Sequence, residues 1–518
     1  MPAYPAFNVY SAVAKTTTAL GPLCVATSVN DVPGWDAEVI DENNYQRGGP
    51  EGEDDRPDHA ALQAARPTQV VGLYGGLTST IPRLLELARY YQGLGVTTVA
   101  GGQHFVGENV AEALHNGIDF VVTGEGEDTI RELLEHTEGK RAKADIRGIA
   151  YLEDGRVVRT PPRDPVSDFD RLPFPDFSLV RYAKISVYPV GRVRGCGMNC
   201  EFCAVKGRPR YARVERLVDQ FAELHEKYGA RMFFVVDDLF GQKREEAIHL
   251  CRRLEDYQKR VGARFRITIQ IRLDKARDTE LLDAMRAAGV NMLAVGIESP
   301  IREELEAMNK RLDPDEMIQL VRAYRREGFR VHGMFIFGYP MPEEVDFRMP
   351  ARERVRRFRR FIRKSRIDTI QVLLPVPLPG TGLTRRLEEQ GRIYPREHVG
   401  WEYYDGNFPL FEPDDPLTAE QMQASIRRIL GRFYQARRMV SLALHTVSLP
   451  AIVSHLHSLK RAWRRWDRRW WRNVYRLTGW RILHKWTADL KKSDFWHRIA
   501  RAKEALRRAS AHKTLSSE

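Results

Sequence analysis

Cys196, Cys200 and Cys203 form a C-x3-C-x2-C array on the short stretch between Arg194 and Ala204. Three thiolates on one loop can hold three corners of a [4Fe–4S] cluster, because soft sulfur ligands suit iron–sulfur chemistry. The fourth iron then lacks a protein ligand and is open to a small molecule. Gly197 and Asn199 are small or polar, as a loop wrapping a cluster requires, and Phe202 can shield one face of it. Structural zinc is the alternative, but it takes four closed ligands, usually as two spaced pairs. The remaining cysteines, Cys24 and Cys251, are isolated and read as buried apolar thiols. The array therefore points to iron–sulfur.

The elements around the array must place it. From residue 185 a strand–helix alternation repeats, with strands expected at 185–193, 232–236, 265–271, 292–296, 331–337 and 369–374. Helices are expected between them at 214–228, 244–260, 279–288, 314–327 and 351–364. Six parallel units predict a partial TIM-like barrel, whose chemistry belongs at the strand C-termini. The cysteine loop leaves the first strand at that end.

Upstream, strands at 37–40, 69–74, 96–100 and 119–123 alternate with helices at 81–94, 110–116 and 129–136. Such alternation predicts an α/β unit with a doubly wound parallel sheet. Residues 46–67 are polar, acidic and rich in Pro and Gly, and read as an exposed loop. Glycines follow successive strand ends: Gly75 and Gly76, Gly101 and Gly102, then Gly124 and Gly126 flanking Glu125. In an open parallel sheet, ligands sit beyond the carboxyl ends of the strands, and glycine lets backbone approach a flat or phosphorylated ligand. Turns also need glycine, so it is the succession of three clusters that counts. A chain of 518 residues exceeds one core. The expected division is an α/β domain over 1–145, a linker with a small hairpin and a Pro-rich stretch over 146–184, a barrel over 185–395, and a helical basic region over 396–518.

Taken together, these features resemble the cobalamin (B12)-binding radical S-adenosylmethionine (SAM) family. The cysteine array resembles the superfamily signature. Residues 71–80 (VGLYGGLTST), 101–104 (GGQH) and 122–127 (VTGEGE) resemble the cobalamin-binding domain found upstream of many such enzymes, and 172–176 (LPFPD) the linker that follows. The resemblance implies a Rossmann-like domain ahead of a radical SAM barrel. It implies that the open iron chelates SAM, and that one electron from a flavodoxin- or ferredoxin-type reductant cleaves SAM to a 5′-deoxyadenosyl radical. Cobalamin beside that radical implies methyl transfer to an unactivated carbon or phosphorus centre. Radical oxidation, cyclisation or carbon–carbon coupling is the runner-up. An RNA-binding methylthiotransferase-like protein would need another cluster-binding cysteine set and a small β-barrel, and the sequence displays neither.

The resemblance also assigns residues. Gly75, Thr78, Ser79, Gly101, Gly102, Gly124, Glu125 and Gly126 would line cobalamin. Domains that ligate cobalt through histidine carry Asp-x-His-x-x-Gly after the first strand. Here His104 follows a later strand, with Gly102 in the place of the Asp, so His104 is read as a loop residue near the ligand. For SAM, the acidic pair Asp237 and Asp238 ends the second barrel strand where the family places its ammonium contacts, a helix-capping pair being the alternative. Gln270 and Arg272 fall on one side near the end of the third strand, and an Arg fork suits a carboxylate; a surface ion pair is the other reading. Glu298 and Ser299 follow the fourth strand and resemble the ribose-contacting motif, against a buried salt bridge. Gly338, after the fifth, would let adenine approach. The substrate itself, a small or lipid-like molecule, is not named by any motif.

Charge is unevenly spread. The chain carries +13, yet residues 421–518 hold 23 Lys/Arg against 5 Asp/Glu, a balance of +18. Seven of nine tryptophans lie between Trp463 and Trp496. Trp463, Trp466, Trp470, Val474 and Leu477 fall at helical spacing, with Arg464, Arg465, Arg468, Arg469, Arg472 and Arg476 around them. A Trp/Arg amphipathic helix suits an anionic membrane surface; docking on the protein itself is the competing reading, and nucleic acid the weaker third. The segment 439–459 is split by Pro450 and carries three histidines, making it a poor membrane span. Without a disulfide framework or an N-terminal signal pattern, the expectation is a cytoplasmic protein, peripheral at the membrane if the tail binds there.

Overall fold

The computed structural model describes residues 2–53, 56–205, 207–310, 312–447 and 460–516. Two sheets organise it. The first has five strands in the order Val70–Tyr74, Thr97–Gly101, Phe120–Val122, Ile149–Glu153 and Arg156–Arg159. The first three pair in parallel, and the last two antiparallel. Helices cover both faces: Ala100 and Val121 join a core with Ile81–Gly93, while Val99 and Val122 pack on Leu133 of Glu127–Thr137. A strand buried on both sides reads as a near-continuous apolar run, and Thr98, Val99 and Ala100 are all buried.

Three expectations for this region are corrected. The stretch 46–67, expected as an exposed loop, contains helix His59–Ala65, capped by the Asp58 carboxylate and burying Leu62. The strand anticipated at 37–40 does not enter the first sheet; Val39–Ile40 pairs with Val180–Arg181 instead. The hairpin around Asp154 and Gly155 is not a separate linker element but the antiparallel edge of the first sheet, with Ala150 facing Arg159.

The second sheet has six strands, all parallel and in chain order: Tyr188–Val190, Met232–Phe240, Arg266–Ile271, Val290–Glu298, Arg330–Ile336 and Thr369–Leu373. Helices Val214–Tyr228, Arg244–Val261, Thr279–Ala287, Pro314–Arg326 and Ala351–Ser365 return the chain between them. Two of these end where sequence chemistry directs. Gly229 and Gly262 take left-handed caps with φ of 64° each, a conformation glycine adopts without a Cβ clash.

The chain termini close the barrel. Phe7 packs between Tyr434 and Trp486, at ring separations of 5.2 and 5.9 Å. The Tyr10 hydroxyl meets Thr369 Oγ1 at 2.8 Å, at the start of the sixth barrel strand. The tail forms helices Arg438–Val447, Lys460–Lys491 and Phe495–Ser516. Leu483, Trp486, Leu490, Phe495 and Ile499 are buried in the main core, with Trp480 and Trp496 packed partly against it. The C-terminal part of the tryptophan-rich stretch therefore docks on the protein. Trp470 and Asn473 face helix Arg438–Val447 through Thr446 (3.4 Å) and Ser441 (3.2 Å). The side chains of Trp463, Arg464, Arg465 and Arg468 lie outside the described residues, as does the segment 448–459 with Pro450. No helix among the described residues is long and apolar enough to cross a membrane.

Candidate functional site

The cysteine loop runs between Val193–Arg194 and Arg210–Tyr211, which pair antiparallel as its stem. Cys196, Cys200 and Cys203 are all half-buried on it. Gly195 and Gly197 have φ of 89° and 68°. A Cβ on Gly195 would sit 3.0 Å from the Arg208 carbonyl, and one on Gly197 3.1 Å from Pro209, so the tight loop needs both glycines.

Side chains from distant positions fix the loop. Glu201 accepts two hydrogen bonds from Arg386, at 2.7 and 2.8 Å, and one from the Tyr339 hydroxyl at 2.6 Å. Gln242 donates to the Cys196 carbonyl at 2.6 Å, and Asn309 to the Asn199 carbonyl at 2.8 Å. Phe202 meets Tyr339 edge-on at 6.2 Å. Such charge-assisted, bidentate contacts hold geometry strongly.

The stem is tied to the first sheet. Glu125 pairs with Arg194 and Arg210, each at 2.9 Å, and accepts from the Val166 amide at 2.6 Å. Glu127 pairs with Arg194 as well. Burial pushes the Glu125 carboxyl up, but the hydrogen bonds from Arg210 and Arg194 outweigh it and hold it below its usual value. Glu125, expected among the cobalamin contacts, thus spends its carboxylate on the cluster-loop stem.

Between the C-terminal ends of the two sheets lies a cavity of about 2690 Å³, several times the roughly 300–1,000 Å³ of an ordinary small-molecule site. Ser79, Gly101, Gly102, Gly124, Glu125 and Gly126 line it from the first sheet, and Gly195 and Asp238 from the barrel. Gly75 and Thr78 stand behind that wall. The Gly75 amide donates to the Gly101 carbonyl at 2.7 Å, and Thr78 faces His104. At Gly102, φ is 126° and a Cβ would come within 2.6 Å of the Gly75 backbone. His104 is buried between Phe105 and Trp401 and is not part of the cavity wall. Burial, helped by Arg396, pushes its pKa down to about 4, so it is a neutral core residue.

The barrel ends sort the SAM candidates. Asp238 borders the cavity and accepts from the Gly195 amide at 3.1 Å. Asp237 turns the other way: its Oδ1 accepts from the backbone amides of Arg192 (2.7 Å) and Val193 (2.9 Å). Burial pushes its pKa up to about 6, against the pull of those amides. Asp237 is therefore a backbone brace, and neither Asp caps a helix. Gln270 is half-buried at the end of the third strand. Arg272 reaches the cluster loop at Met198 and pairs with Asp274 at 3.0 Å.

Glu298 has a left-handed backbone, φ 58°, at a register break in the fourth strand. It pairs with Lys310 at 2.6 Å, and Lys310 also donates to the Gly296 carbonyl at 2.7 Å. A Cβ on Gly296 would overlap the Glu298 carboxylate at 2.3 Å. Strain of this kind clusters at functional sites. Ser299 is fully buried; its hydroxyl donates to Glu304 and accepts from the Ile301 amide, bracing the start of the following helix. At Gly338, φ 75°, a Cβ would come within 3.0 Å of Met422 and 3.6 Å of Leu417 from the C-terminal region. Sequence reasoning missed Arg194, Arg210, Lys310 and Arg386. The two arginines flanking the array were visible, but Arg386 pairs with Glu201 from 185 positions away and left no local signal.

The residues fit the groups. Three thiols occupy one constrained loop, and among the described residues no three His, Cys, Asp or Glu converge as a single ion requires; a cluster takes its thiolates at separate corners. The glycine-edged cavity has the breadth for a macrocycle, and Gly124 faces it with nothing within 4 Å of where a Cβ would stand.

Comparison with known proteins agrees with the two halves. Residues 191–389 match the Radical SAM superfamily model, and residues 9–134 match the B12 binding domain. The chain is 30% identical over 326 residues to "Uncharacterized methyltransferase PH0819" of Pyrococcus horikoshii, covering 61% of this chain and 67% of that protein. It is 25% identical over 360 residues to an anaerobic magnesium-protoporphyrin IX monomethyl ester cyclase of Rubrivivax gelatinosus, over 65% of this chain and 62% of that one. Among solved structures, the radical SAM methyltransferase TsrM from Kitasatospora setae shares the fold, with a TM-score of 0.58 and 20% identity over 72% of this chain and 74% of that one. The chain belongs to the cobalamin-binding radical SAM family. It is an enzyme whose cofactors are a [4Fe–4S] cluster, SAM and cobalamin.

Proposed function

We propose that the enzyme is a cobalamin-dependent methyltransferase acting on an unactivated carbon of a lipid-like substrate. One observation carries the reading: the glycine-lined end of the first sheet and the cluster-loop end of the barrel open into the same cavity. The bound groups would supply one-electron cleavage of SAM and a methyl donor within reach of a single substrate. Cys196, Cys200 and Cys203 would hold the cluster. Asp238, beside the loop on the cavity wall, would accept from the SAM ammonium, and Arg272 would meet its carboxylate. Glu298, oriented by Lys310, would accept from ribose hydroxyls. Glu125, through Arg194 and Arg210, keeps the loop in register with the glycine edge.

Two of the similar proteins above are named as methyltransferases. The cyclase relative supports the second reading, radical oxidation or cyclisation. Product stoichiometry separates them: methylation predicts S-adenosylhomocysteine and 5′-deoxyadenosine in equal amounts, whereas 5′-deoxyadenosine alone would favour the cyclase-like reaction. A flavodoxin- or ferredoxin-type protein would deliver the electron.

The lipid-like substrate class draws on the cavity's apolar lining, which includes Phe7, Leu20, Leu77, Ile482 and Trp486. It draws also on the tail. Helix Arg438–Val447 exposes Met439, Val440, Ala443 and Leu444 within a region of +18 charge, a face complementary to an anionic lipid surface on the cytoplasmic side. Each basic contact there contributes about 1 kcal/mol, so several must act together. Salt-sensitive cosedimentation with phosphatidylglycerol-containing vesicles is expected, and a Val440→Ser/Leu444→Ser variant should lose most of it. Failure of the parent protein to pellet at low salt would remove the membrane placement, and binding of single-stranded RNA instead would reassign the tail.

A further inference from the structure

Helix Ala351–Ser365 lies on the outside of the barrel and takes no part in the site described above. Its inner face is apolar: Val355, Phe358, Phe361 and Ile362 are buried, with Phe358 against Phe335 and Phe337 at 5.9 and 5.3 Å. Its outer face is built of one residue type, since every exposed residue of the helix is arginine. Arg352, Arg356, Arg359, Arg360 and Arg363 fall on one stripe at about 100° per residue, roughly 17 Å long.

Charge of one sign at this spacing works against the helix. Arg352 and Arg356, Arg356 and Arg360, and Arg359 and Arg363 stand four apart, where like charges destabilise. Glu353 is the one acid against eight basic residues, and it pairs with Arg356 and Arg357. Arg352, Arg359, Arg360 and Arg363 meet no carboxylate among the described residues. The end of the helix breaks a second local rule. Gly229 and Gly262 take the left-handed caps of two other barrel helices, whereas here the same conformation, φ 59°, falls on an exposed arginine, Arg366. A Cβ is disfavoured there. Local rules are broken in this way at functional places, and a bound anion would relieve the repulsion.

The kind of anion follows from what the stripe lacks. The core of a protein–protein interface is apolar and aromatic and depleted of charge, and this face exposes no such side chain. Single-stranded nucleic acid needs aromatic platforms among the cations, but both phenylalanines of the helix are buried. A sheet of lipid phosphates asks only for cations spread over a surface. The neighbours supply an apolar edge. The helix packs beside Ala419–Phe433, which exposes Arg428 and Arg432. Arg437 follows, and then the exposed Met439, Val440 and Leu444 of helix Arg438–Val447.

We propose that the arginine stripe of helix Ala351–Ser365 lies against an anionic phospholipid leaflet, so that the flank of the barrel, and not the tail alone, forms the membrane face. The proposal rests on the peripheral placement given above and extends it to a helix outside residues 421–518. The guanidinium groups would take lipid phosphates, while Met439, Val440 and Leu444 would enter the boundary of the acyl chains.

The reconstituted full-length protein is compared with Arg356→Gln/Arg359→Gln/Arg360→Gln/Arg363→Gln and with Val440→Ser/Leu444→Ser. The readout is cosedimentation with phosphatidylcholine vesicles, with and without phosphatidylglycerol, over a salt series. The arginine variant should lower the partition coefficient on phosphatidylglycerol vesicles by roughly tenfold or more at low salt and flatten its salt dependence. Its melting temperature without vesicles should hold or rise, because like-charge repulsion is removed. A clearly lower melting temperature would show that the arginines serve the fold, and overturns the proposal. Equal pelleting of the parent and the arginine variant overturns the stripe and leaves the tail contact standing. Loss in the arginine variant, with Val440→Ser/Leu444→Ser unaffected, keeps the stripe and overturns the tail contact. A parent that stays in solution at low salt overturns both. Binding of single-stranded RNA in preference to vesicles, lost in the arginine variant, overturns the lipid contact and reassigns the stripe to nucleic acid.

Discussion

The two rims of the cavity are built on opposite principles. The first sheet presents its rim through backbone: Gly101, Gly102, Gly124 and Gly126 border the cavity, and at Gly102 two main chains touch where any side chain would intrude. The barrel presents its rim through side chains: Arg386 and Tyr339, both holding the loop's Glu201, together with Gln242 and Asn309, lash the cysteine loop from four separate places. A flat macrocycle needs area and close approach. A cluster on a loop that lacks regular structure needs that loop immobilised. The difference teaches that each rim should fail in its own way.

Gly102→Ala should break the first rim outright. The new Cβ would lie 2.6 Å from the Gly75 backbone at φ 126°, combining a clash against main chain with a conformation that L-residues rarely adopt. A loss of roughly 4 kcal/mol is expected, read as a fall in melting temperature together with loss of hydroxocobalamin retention. Radical SAM barrel residues should keep their hydrogen-exchange protection. If that protection collapses as well, the two rims are one cooperative unit and the contrast is wrong.

Acid should move the rims in opposite directions. His104, pushed down to about 4 by burial and then Arg396, stays neutral in the fold while the unfolded chain binds a proton near pH 6.5. Its contribution is present above pH 6.5 and lost as pH falls towards 4, up to about 3 kcal/mol. Asp237, pushed up to about 6 by burial, behaves in reverse. Its contribution is present below the unfolded value near 4 and lost as pH rises through 6, again about 3 kcal/mol. Protection factors measured at pH 7 and pH 5 should therefore fall around 97–136 and rise around 188–240. His104→Phe and Asp237→Asn should each abolish one of the two trends, since Asn keeps the Oδ1 that receives the Arg192 and Val193 amides.

Arg386→Ala tests the lashing of the second rim. It strips two of the three hydrogen bonds from Glu201 and leaves a largely buried carboxylate with the Tyr339 hydroxyl alone. About 2 kcal/mol should be lost. The more telling readout is iron content after anaerobic reconstitution, which should fall, with Arg386→Lys recovering only part because it cannot form the bidentate pair. Full cluster loading in Arg386→Ala would show that the loop holds its own shape.

How much of this was legible beforehand follows from the same contrast. The cysteines, the glycine clusters and the strand–helix alternation are local patterns, and the sequence displays them directly. The lashings are not local. Arg386 finds Glu201 across 185 positions, and no spacing rule connects them. Asp237 and Asp238 are neighbours of identical type, yet strand alternation sends one to brace backbone amides and the other to the cavity. Ser299 and Gly338 matched motif positions, but what packs against them (Glu304 and Met422) is set by tertiary contacts. The strand expected at 37–40 had the composition of a strand and lost its place in the first sheet to pairing with Val180–Arg181. The tryptophans of the tail announced an amphipathic helix, but their periodicity could not say whether its apolar side met lipid or the barrel.

The smallest expected effect gives the sharpest distinction within the first rim. Gly124 lies on the same rim as Gly102, but its φ is not in the left-handed region, and a Cβ there would meet nothing within 4 Å. Gly124→Ala should therefore change stability by no more than about 0.5 kcal/mol, and in the stabilising direction if the native backbone suits alanine, because the unfolded chain loses freedom. The emptiness around that position belongs to the cavity, so the methyl group would occupy space reserved for the macrocycle. Hydroxocobalamin affinity should fall while the melting temperature of the ligand-free protein holds or rises. A larger side chain, as in Gly124→Leu, should deepen the loss of binding without unfolding the domain. If Gly124→Leu retains the corrinoid as well as the parent does, the glycine at this strand end serves only the turn, and the cradle is confined to Gly101, Gly102 and Gly126.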